Sequence, residues 1–170
     1  SEVCVDLAVK GVQDTGAGGR DKLVSIEGVI GSHGDDVLLG NAVSNLLLGA
    51  FGNDLLSGKG ANDTLDGGPG GDTLLGGSGA DTFLVKDLTG GEFPLIEDLA
   101  QIDIIDVSSI DANSNKAGDQ AFRLVDQFTG RAGEAVLTYV DGVTRLEVDL
   151  TGSSNYVAVS MSGDQTDFGN

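Results

Sequence analysis

The sequence predicts an all-β protein in which many short strands stack on one another and a set of longer strands closes the stack. Three observations support this fold class. A nine-residue unit repeats six times without a break between Gly31 and Leu84. One apolar residue recurs at position eight of every unit. After Leu84 the repeat stops, and segments of alternating apolar and polar residues follow. A fixed period marks stacked repeat architectures, and alternation marks strands that are buried on one face.

The repeat units share the same residue types at the same positions. They read GSHGDDVLL, GNAVSNLLL, GAFGNDLLS, GKGANDTLD, GGPGGDTLL and GGSGADTFL, and they begin at Gly31, Gly40, Gly49, Gly58, Gly67 and Gly76. Position four is glycine except at Val43 and Ala61. Position eight holds Leu38, Leu47, Leu56, Leu65, Leu74 and Phe83. Residues seven to nine of each unit are therefore predicted to form a short strand whose middle side chain points into the core.

Position six carries an oxygen-bearing side chain in every unit. The residues there are Asp36, Asn45, Asp54, Asp63, Asp72 and Asp81. Glycines let the backbone take the positive φ of tight turns, with its carbonyl oxygens turned inward. Calcium prefers about 6–8 oxygen ligands at roughly 2.3–2.6 Å, which turn carbonyls and these side chains supply. A flexible glycine-rich linker would explain the glycines, but not the phased Asp and Leu residues.

The charge balance agrees with a cation-binding chain. There are 27 acidic and 9 basic residues, a net charge of −18, and 21 of the acidic residues are Asp. Within the repeats Lys59 is the single basic residue, so crowded carboxylates oppose compaction unless cations offset them. This balance argues against nucleic acids and anionic membranes as partners, because both need basic patches. No apolar run approaches the roughly 18 residues of a membrane span, and the N-terminus lacks a signal-peptide pattern.

The repeat resembles the GGxGxDxUx nonapeptide of RTX proteins, a calcium-binding parallel β-roll. The resemblance implies that successive units alternate between two sides of the roll, and that units 18 residues apart share an ion. One side would stack Asp36, Asp54 and Asp72, and the other Asn45, Asp63 and Asp81, with about four Ca²⁺ ions in total. The metal-site residues that it implies are Gly31, His33, Asp36, Gly40, Asn45, Gly49, Phe51, Asn53, Asp54, Gly58, Gly60, Asn62, Asp63, Gly67, Pro69, Gly71, Asp72, Gly76, Ser78, Ala80 and Asp81.

Residues 1–30 are predicted to form irregular lead-in coils of the roll. The segment GAGGRDKLV fits the unit with Asp21 at position six, which makes Asp21 a candidate further ligand. The alternative is a turn aspartate that caps its own backbone. Ile26 and Ile30 are expected to continue the apolar stack. Cys4 alternates with apolar neighbours and should point away from the core, and as the only cysteine it excludes an intrachain disulfide.

Residues 85–170 are predicted to form a C-terminal, β-sandwich-like cap. Alternating segments at 102–107, 122–125, 135–140, 145–150 and 156–161 are its expected strands. Three segments, FLVKDL, LIEDLAQIDIIDVSSIDA and DQAFRLVDQFTGRAGEAVLTY, are similar to the C-terminal domain of serralysin-type secreted metalloproteases. That resemblance implies an extracellular module that binds calcium and carries an uncleaved signal for the type I secretion machinery.

Catalysis within this chain is not expected. The protease half of serralysins needs an HExxH helix with two histidines, and this chain has only His33, in a repeat turn. Paired carboxylates suited to glycoside hydrolysis abound, but the repeat accounts for most of them as ligands. The alternative function is a carbohydrate- or surface-binding RTX module of the kind found in alginate epimerases and adhesins. Arg123, Arg131 and Arg145 could form its basic patch, although solvated arginines on strand faces are the simpler interpretation.

The repeat predicts that its two sides bind calcium unequally. The side of Asp54 keeps glycine at position four and Asp at position six throughout, whereas the other side contains Val43 and Asn45. Asp54 lies in the middle of the intact side and would serve two ions. We expect Asp54→Ala to raise the calcium midpoint of folding more than Asn45→Ala or Asp21→Ala, as measured by circular dichroism during calcium titration. Equal damage from Asn45→Ala would contradict the 18-residue stacking or this ranking of the sides.

Overall fold

The computed structural model of the protein describes residues 2–16, 19–86, 92–110, 122–125, 127–152 and 155–163, without the side chains of 155–158. Within these ranges the strands are β1 (Cys4–Asp6), β2 (Gln13–Asp14), β3 (Arg20–Asp21), β4 (Gly28–Ile30), β5 (Val37–Leu39), β6 (Leu46–Leu48), β7 (Leu55–Ser57), β8 (Thr64–Asp66), β9 (Thr73–Leu75), β10 (Thr82–Leu84), β11 (Leu95–Ile96), β12 (Ile104–Asp106), β13 (Arg123–Leu124), β14 (Glu134–Val140), β15 (Val143–Asp149) and β16 (Asn155–Ser162).

The repeat strands form a parallel β-roll, which confirms the predicted fold class. Strands β5 to β10 coincide with positions seven to nine of the six units. The odd units pair in one sheet in the order β5-β7-β9, and the even units pair in a second sheet in the order β10-β8-β6. All of these pairs are parallel, and they align residues 18 positions apart, as Leu38, Leu56 and Leu74 show. Each nine-residue unit therefore crosses from one sheet to the other.

The interior of the roll is a column of position-eight side chains between the two sheets. Leu38, Leu47, Leu56, Leu65, Leu74 and Phe83 are all 0% exposed. Side chains at positions seven and nine point outward, so that Leu55 is 37% exposed beside the buried Leu56. The alternation follows from the two-residue period of a strand.

Both sheets extend past the six units. At the N-terminal end β1 pairs with β5, and β4 pairs with β6. At the other end β11 pairs with β9, and β12 pairs with β10. Each of these strands continues the parallel register, with Val5 and Ile96 buried next to the leucine column. Cys4 is exposed, in agreement with the expected alternation.

The expectation that Ile26 and Ile30 continue the apolar stack is wrong. Ile30 is 70% exposed and Ile26 is 40% exposed. The pairing of β4 with β6 sets Val29 opposite Leu47. Because side chains alternate along a strand, placing Val29 inward forces Ile30 outward.

The longer C-terminal strands close one sheet of the roll. Strands β14, β15 and β16 form an antiparallel meander, and β16 joins the roll by pairing with β11 in parallel. Val148, Val159 and Met161 are buried in the same hydrophobic cluster as the leucine column. The secretion signal is predicted within residues 85–170, and the end of that region, residues 164–170, lies outside the described residues. No helix in the described part of the chain is long and apolar enough to cross a membrane.

The leucine column predicts a large difference between two adjacent residues. Leu56→Ala removes a fully buried side chain between Leu38 and Leu74, and such changes cost about 2–5 kcal/mol. The control Leu55→Ala lies on the outer face of the same strand and should cost well under half as much. Urea unfolding of both variants at saturating calcium measures the difference. Similar losses for the two would contradict the inward position of Leu56.

Candidate metal centre

The position-six side chains line up in two buried columns. The Asp54 column contains Asp36, Asp54 and Asp72, and the Asp63 column contains Asn45, Asp63 and Asp81. Their exposed fractions range from 0% to 4%. The columns arise because each residue precedes a repeat strand by one position, and the parallel register repeats that placement every second unit. Buried carboxylates are rare in proteins unless they are paired or bind a cation.

Hydrogen bonds connect neighbouring turns within each column. In the Asp54 column, the N–H of Asp36 donates to Asp54 Oδ1 at 2.8 Å, and the N–H of Asp54 donates to Asp72 Oδ1 at 2.9 Å. In the Asp63 column, the N–H of Asn45 donates to Asp63 Oδ1 at 2.7 Å, and the N–H of Asp63 donates to Asp81 Oδ1 at 2.8 Å. One oxygen of each of these carboxylates is therefore used to join turns.

The second oxygen of four of these carboxylates has no donor. The atoms are Oδ2 of Asp54, Asp63, Asp72 and Asp81, and each is buried without a hydrogen-bond partner among the described residues. An isolated buried carboxylate oxygen is costly, because it loses water and gains nothing in return. Each of these four oxygens is a donor of the kind that hard cations prefer.

Position-one glycines make room for these oxygens. A Cβ placed on Gly49 would overlap Asp54 Oδ2 and the carbonyl oxygen of Gly67. The other position-one glycines bear the same relation to the position-six oxygen of their own unit. Any larger residue there would displace the carboxylate, which explains why position one is glycine in all six units.

Turn carbonyl oxygens lie between successive turns of each column. A Cβ on Gly68 would overlap the carbonyl oxygen of Ala50, and one on Gly70 would overlap that of Gly52. The Asp63 column repeats the arrangement, with the carbonyls of Lys59 and Ala61 below the next turn. No group of three or more His, Cys, Asp or Glu side chains forms a metal cluster within the described ranges. The oxygens gathered here are backbone carbonyls beside single carboxylates.

Two of the residues assigned by resemblance use their side chains to join turns. The Oδ1 of Asn53 accepts the N–H of Gly71 at 2.8 Å, and the Oδ1 of Asn62 accepts the N–H of Ala80 at 3.0 Å. These four residues occupy position five of their units, at the outer side of the turn. The side-chain oxygens of Asn53 and Asn62 are therefore engaged in hydrogen bonds. Their backbone carbonyl oxygens are the atoms that remain available to an ion.

The column carboxylates have no nearby countercharge among the described residues. The two ion pairs within the described residues join Lys59 to Asp6 at 2.7 Å and Lys86 to Asp66 at 2.6 Å, and neither involves a column carboxylate.

Burial raises the pKa of Asp72 to about 6, against an opposing hydrogen bond from the Asp54 N–H. Burial likewise raises the pKa of Asp54, Asp63 and Asp81. Ionisation of the column carboxylates is therefore electrostatically unfavourable, and a nearby cation would reduce its free-energy cost.

Two other candidate residues lie away from the column carboxylates. Asp21 lies in β3, which is antiparallel to β2, and its Oδ2 accepts the Thr15 hydroxyl at 2.7 Å. This contact is with the side chain of Thr15 and not with the backbone of Asp21, so it differs from the expected backbone cap, and the assignment of Asp21 as a further ligand stays a prediction. His33 stacks on Phe51, with ring centroids 4.9 Å apart and an interplanar angle of 10°. Both rings sit at position three, one turn apart on the same side.

Asp98 and Asp103 extend the Asp63 column and were missed by the sequence analysis. Asp103 Oδ1 accepts the N–H of Asp81 at 2.9 Å, in the position that a further repeat unit would fill. The carboxylate of Asp98 accepts the N–H groups of Gly76 and Gly77, both at 2.9 Å. Reading 98–106, DLAQIDIID, as a unit places Asp103 at position six and Ile105 at position eight. A four-residue insertion at 85–88 and the absence of glycine hide that signal.

Comparisons with known proteins agree with this geometry. A family model described as peptidase M10 serralysin C terminal matches residues 15–168. Among solved structures, the AlgE6R3 subunit from the Azotobacter vinelandii mannuronan C5-epimerase is 32% identical over 86% of this chain and 80% of that chain, with a TM-score of 0.56. The AlgE6R2 subunit from the same enzyme is 23% identical over 86% of this chain and 91% of that chain, with a TM-score of 0.57. At this identity the match supports the fold alone. No curated protein matches the chain.

The raised pKa of Asp72 predicts how the calcium-free protein responds to pH. Its folded value is about 6, against an ordinary value of 3.8. A carboxyl whose pKa is raised by folding favours the folded state when it is protonated. Its contribution to the stability of the calcium-free roll is therefore most favourable below pH 3.8 and is lost as the pH rises to about 6. Circular dichroism of calcium-free protein should show more β structure near pH 4.5 than at pH 7.

Asp72→Asn should weaken this pH dependence because it removes the titrating group. Asp141→Asn is the matched control, since Asp141 is exposed in the turn between β14 and β15. An equal pH dependence in the wild-type and Asp72→Asn proteins would contradict the assignment to the buried column.

Proposed function

From its membership of the peptidase M10 serralysin C-terminal family, we propose that this chain is a calcium-binding module that folds when calcium is present and takes part in type I secretion. The four buried, unpartnered carboxylate oxygens of Asp54, Asp63, Asp72 and Asp81 carry the proposal. A turn carbonyl oxygen, that of Gly67, lies beside Asp54 Oδ2, and this combination of hard oxygen donors suits Ca²⁺.

The bound ions would supply positive charge where the chain has almost none. The repeats contain seven Asp and one Lys, and that lysine, Lys59, pairs with Asp6 outside the columns. About four Ca²⁺ ions, one for each unpartnered oxygen, would reverse this imbalance. Binding energy then becomes folding energy, because the turns that create the site exist only in the folded roll.

The calcium dependence suits an exported protein. Extracellular calcium modules bind in the range of about 10⁻⁴–10⁻³ M, well above cytosolic calcium. The chain would stay loosely folded before export and fold outside the cell, which discourages its return through the secretion channel. The module is proposed to be non-catalytic by itself, since its single histidine packs on Phe51 and the buried carboxylates of its repeats are the proposed calcium ligands. We therefore propose that the protein acts outside the cell, as part of a serralysin-like protease or another RTX exoprotein.

Polysaccharide binding is the alternative function, and the solved neighbours from a mannuronan C5-epimerase favour testing it. Arg123 lies close enough to Glu134 to lower the pKa of that carboxyl, after the larger effect of the Thr129 hydroxyl. The net charge of −18 opposes binding of a polyanion. Titration with alginate oligomers, with Arg123→Gln and Arg145→Gln as variants, separates a glycan site from a folding module.

Calcium removal provides the direct test of the proposed function. Excess chelator should abolish most of the β signal and expand the protein, and Ca²⁺ should restore both. Mg²⁺ should not, because it requires near-ideal octahedral geometry at about 2.0–2.1 Å and releases water reluctantly. Circular dichroism and the hydrodynamic radius measure the two effects. An unchanged spectrum and radius in chelator would show that calcium does not drive folding.

A further inference from the structure

We propose that Ser32 and Asn41 make the first two repeat turns independent of calcium, and that these turns form an ordered end on which the calcium-binding turns assemble. The inference deepens the proposed function and depends on it. It divides the six units, which share one sequence pattern, into two classes of turn. The residue at position two decides the class.

The first unit closes on itself through Ser32. The N–H of Ser32 donates to Asp36 Oδ2, and the Ser32 hydroxyl donates to Asp36 Oδ1 at 3.0 Å. The hydroxyl oxygen also accepts the N–H of Gly34 at 3.1 Å. A further donor, the N–H of Val3, reaches Asp36 Oδ1 at 2.6 Å. Hydrogen bonds to the ionised form stabilise a buried carboxylate, so Asp36 needs no cation.

The second unit repeats the arrangement with Asn41. The N–H of Asn41 donates to Asn45 Oδ1 at 2.8 Å, and the Asn41 Oδ1 accepts the N–H of Val43 at 2.9 Å. The position-six residue here is a neutral amide, and its Nδ2 donates to the carbonyl oxygen of Glu27 at 3.4 Å. This turn therefore buries no charge, and both polar atoms of the Asn45 side chain have hydrogen-bond partners.

The other four units have a different turn. Their position-two residues adopt positive φ, at 84° for Ala50, 73° for Lys59, 92° for Gly68 and 93° for Gly77. Ser32, Asn41 and Val43 are outside that region. None of the four offers a short side-chain oxygen like that of Ser32 or Asn41. These are the same four units whose Oδ2 atoms lack a donor, at Asp54, Asp63, Asp72 and Asp81.

The correspondence between the two properties is complete across the repeats. A self-closed turn has a short oxygen-bearing residue at position two and a satisfied position-six side chain. An open turn has a positive φ at position two and an unpartnered carboxylate oxygen. Open turns need Ca²⁺ to offset a buried charge, whereas self-closed turns already contain the required donors. The strands that follow the two self-closed turns also pair with the lead-in strands, β5 with β1 and β6 with β4.

Hydrogen exchange of the full chain in excess chelator tests the inference. Peptides covering β5 and β6 should exchange at least about tenfold more slowly than peptides covering β8 to β10, because local opening free energies differ along a repeat array. Adding Ca²⁺ should protect the second group. The double variant S32G/N41G should lose the protection of β5 and β6 in chelator while keeping the calcium stoichiometry measured by calorimetry. Ser25→Gly, an exposed site at positive φ outside the repeats, is the control and should change neither.

The converse variant keeps the inference testable if S32G/N41G does not fold. Ala50→Ser places a hydroxyl at position two of the third unit and should extend calcium-free protection into β7. Equal exchange of β5–β6 and β8–β10 in chelator, with calcium binding intact, would overturn the inference and leave the proposed function standing. Failure of Ca²⁺ to bind or protect any segment would instead overturn the proposed function. No gain of protection in Ala50→Ser would show that position two does not decide the class of turn.

Discussion

Buried carboxylate oxygens without hydrogen-bond donors set the conditions under which this roll is stable. Burial of an ionised carboxylate costs several kcal/mol in a protein, and the open turns bury four of them within two columns. Position one must be glycine to make room for these oxygens, since a Cβ on Gly49 would overlap Asp54 Oδ2. Because the repeats contain one basic residue, Lys59, the proposed calcium ions would supply the compensating charge. The family, the turn geometry and the charge all converge on this constraint.

The apolar core of the roll is thin. Each nine-residue unit contributes a single buried apolar side chain, such as Leu56 or Leu65. The remaining turn residues are held by backbone hydrogen bonds and by the Oδ1 contacts that connect position six of alternate units. Each turn contacts mainly its neighbours, so stability adds up along the roll as it does in other repeat arrays. The proposed metal binding would therefore be coupled to folding turn by turn.

The ends of the roll must terminate two parallel sheets. At the C-terminal end the Asp98 carboxylate accepts the N–H groups of Gly76 and Gly77 that another repeat would otherwise satisfy. Asp103 closes the Asp63 column and satisfies its other oxygen with the N–H of Ala100 at 2.7 Å. The meander β14–β16 covers the end of the first sheet by pairing with β11, which limits the exposed strand edge.

The sequence by itself determined the all-β class, the position of all six repeat strands and the leucine column, because a strict period places the same residue at the same point of every unit. The pairing of position-six residues 18 apart was predicted from the resemblance to RTX proteins, because a nine-residue period alone does not say which units lie side by side. It also predicted most of the cap strands from their alternation. Tertiary structure alone decided that Val29 rather than Ile30 faces inward, since register depends on the partner strand. It also decided that 98–106 is a further coil, because an insertion and missing glycines conceal the period there. The division of the repeats into self-closed and open turns depends on whether a donor reaches the carboxylate, and that distance exists only in the folded chain.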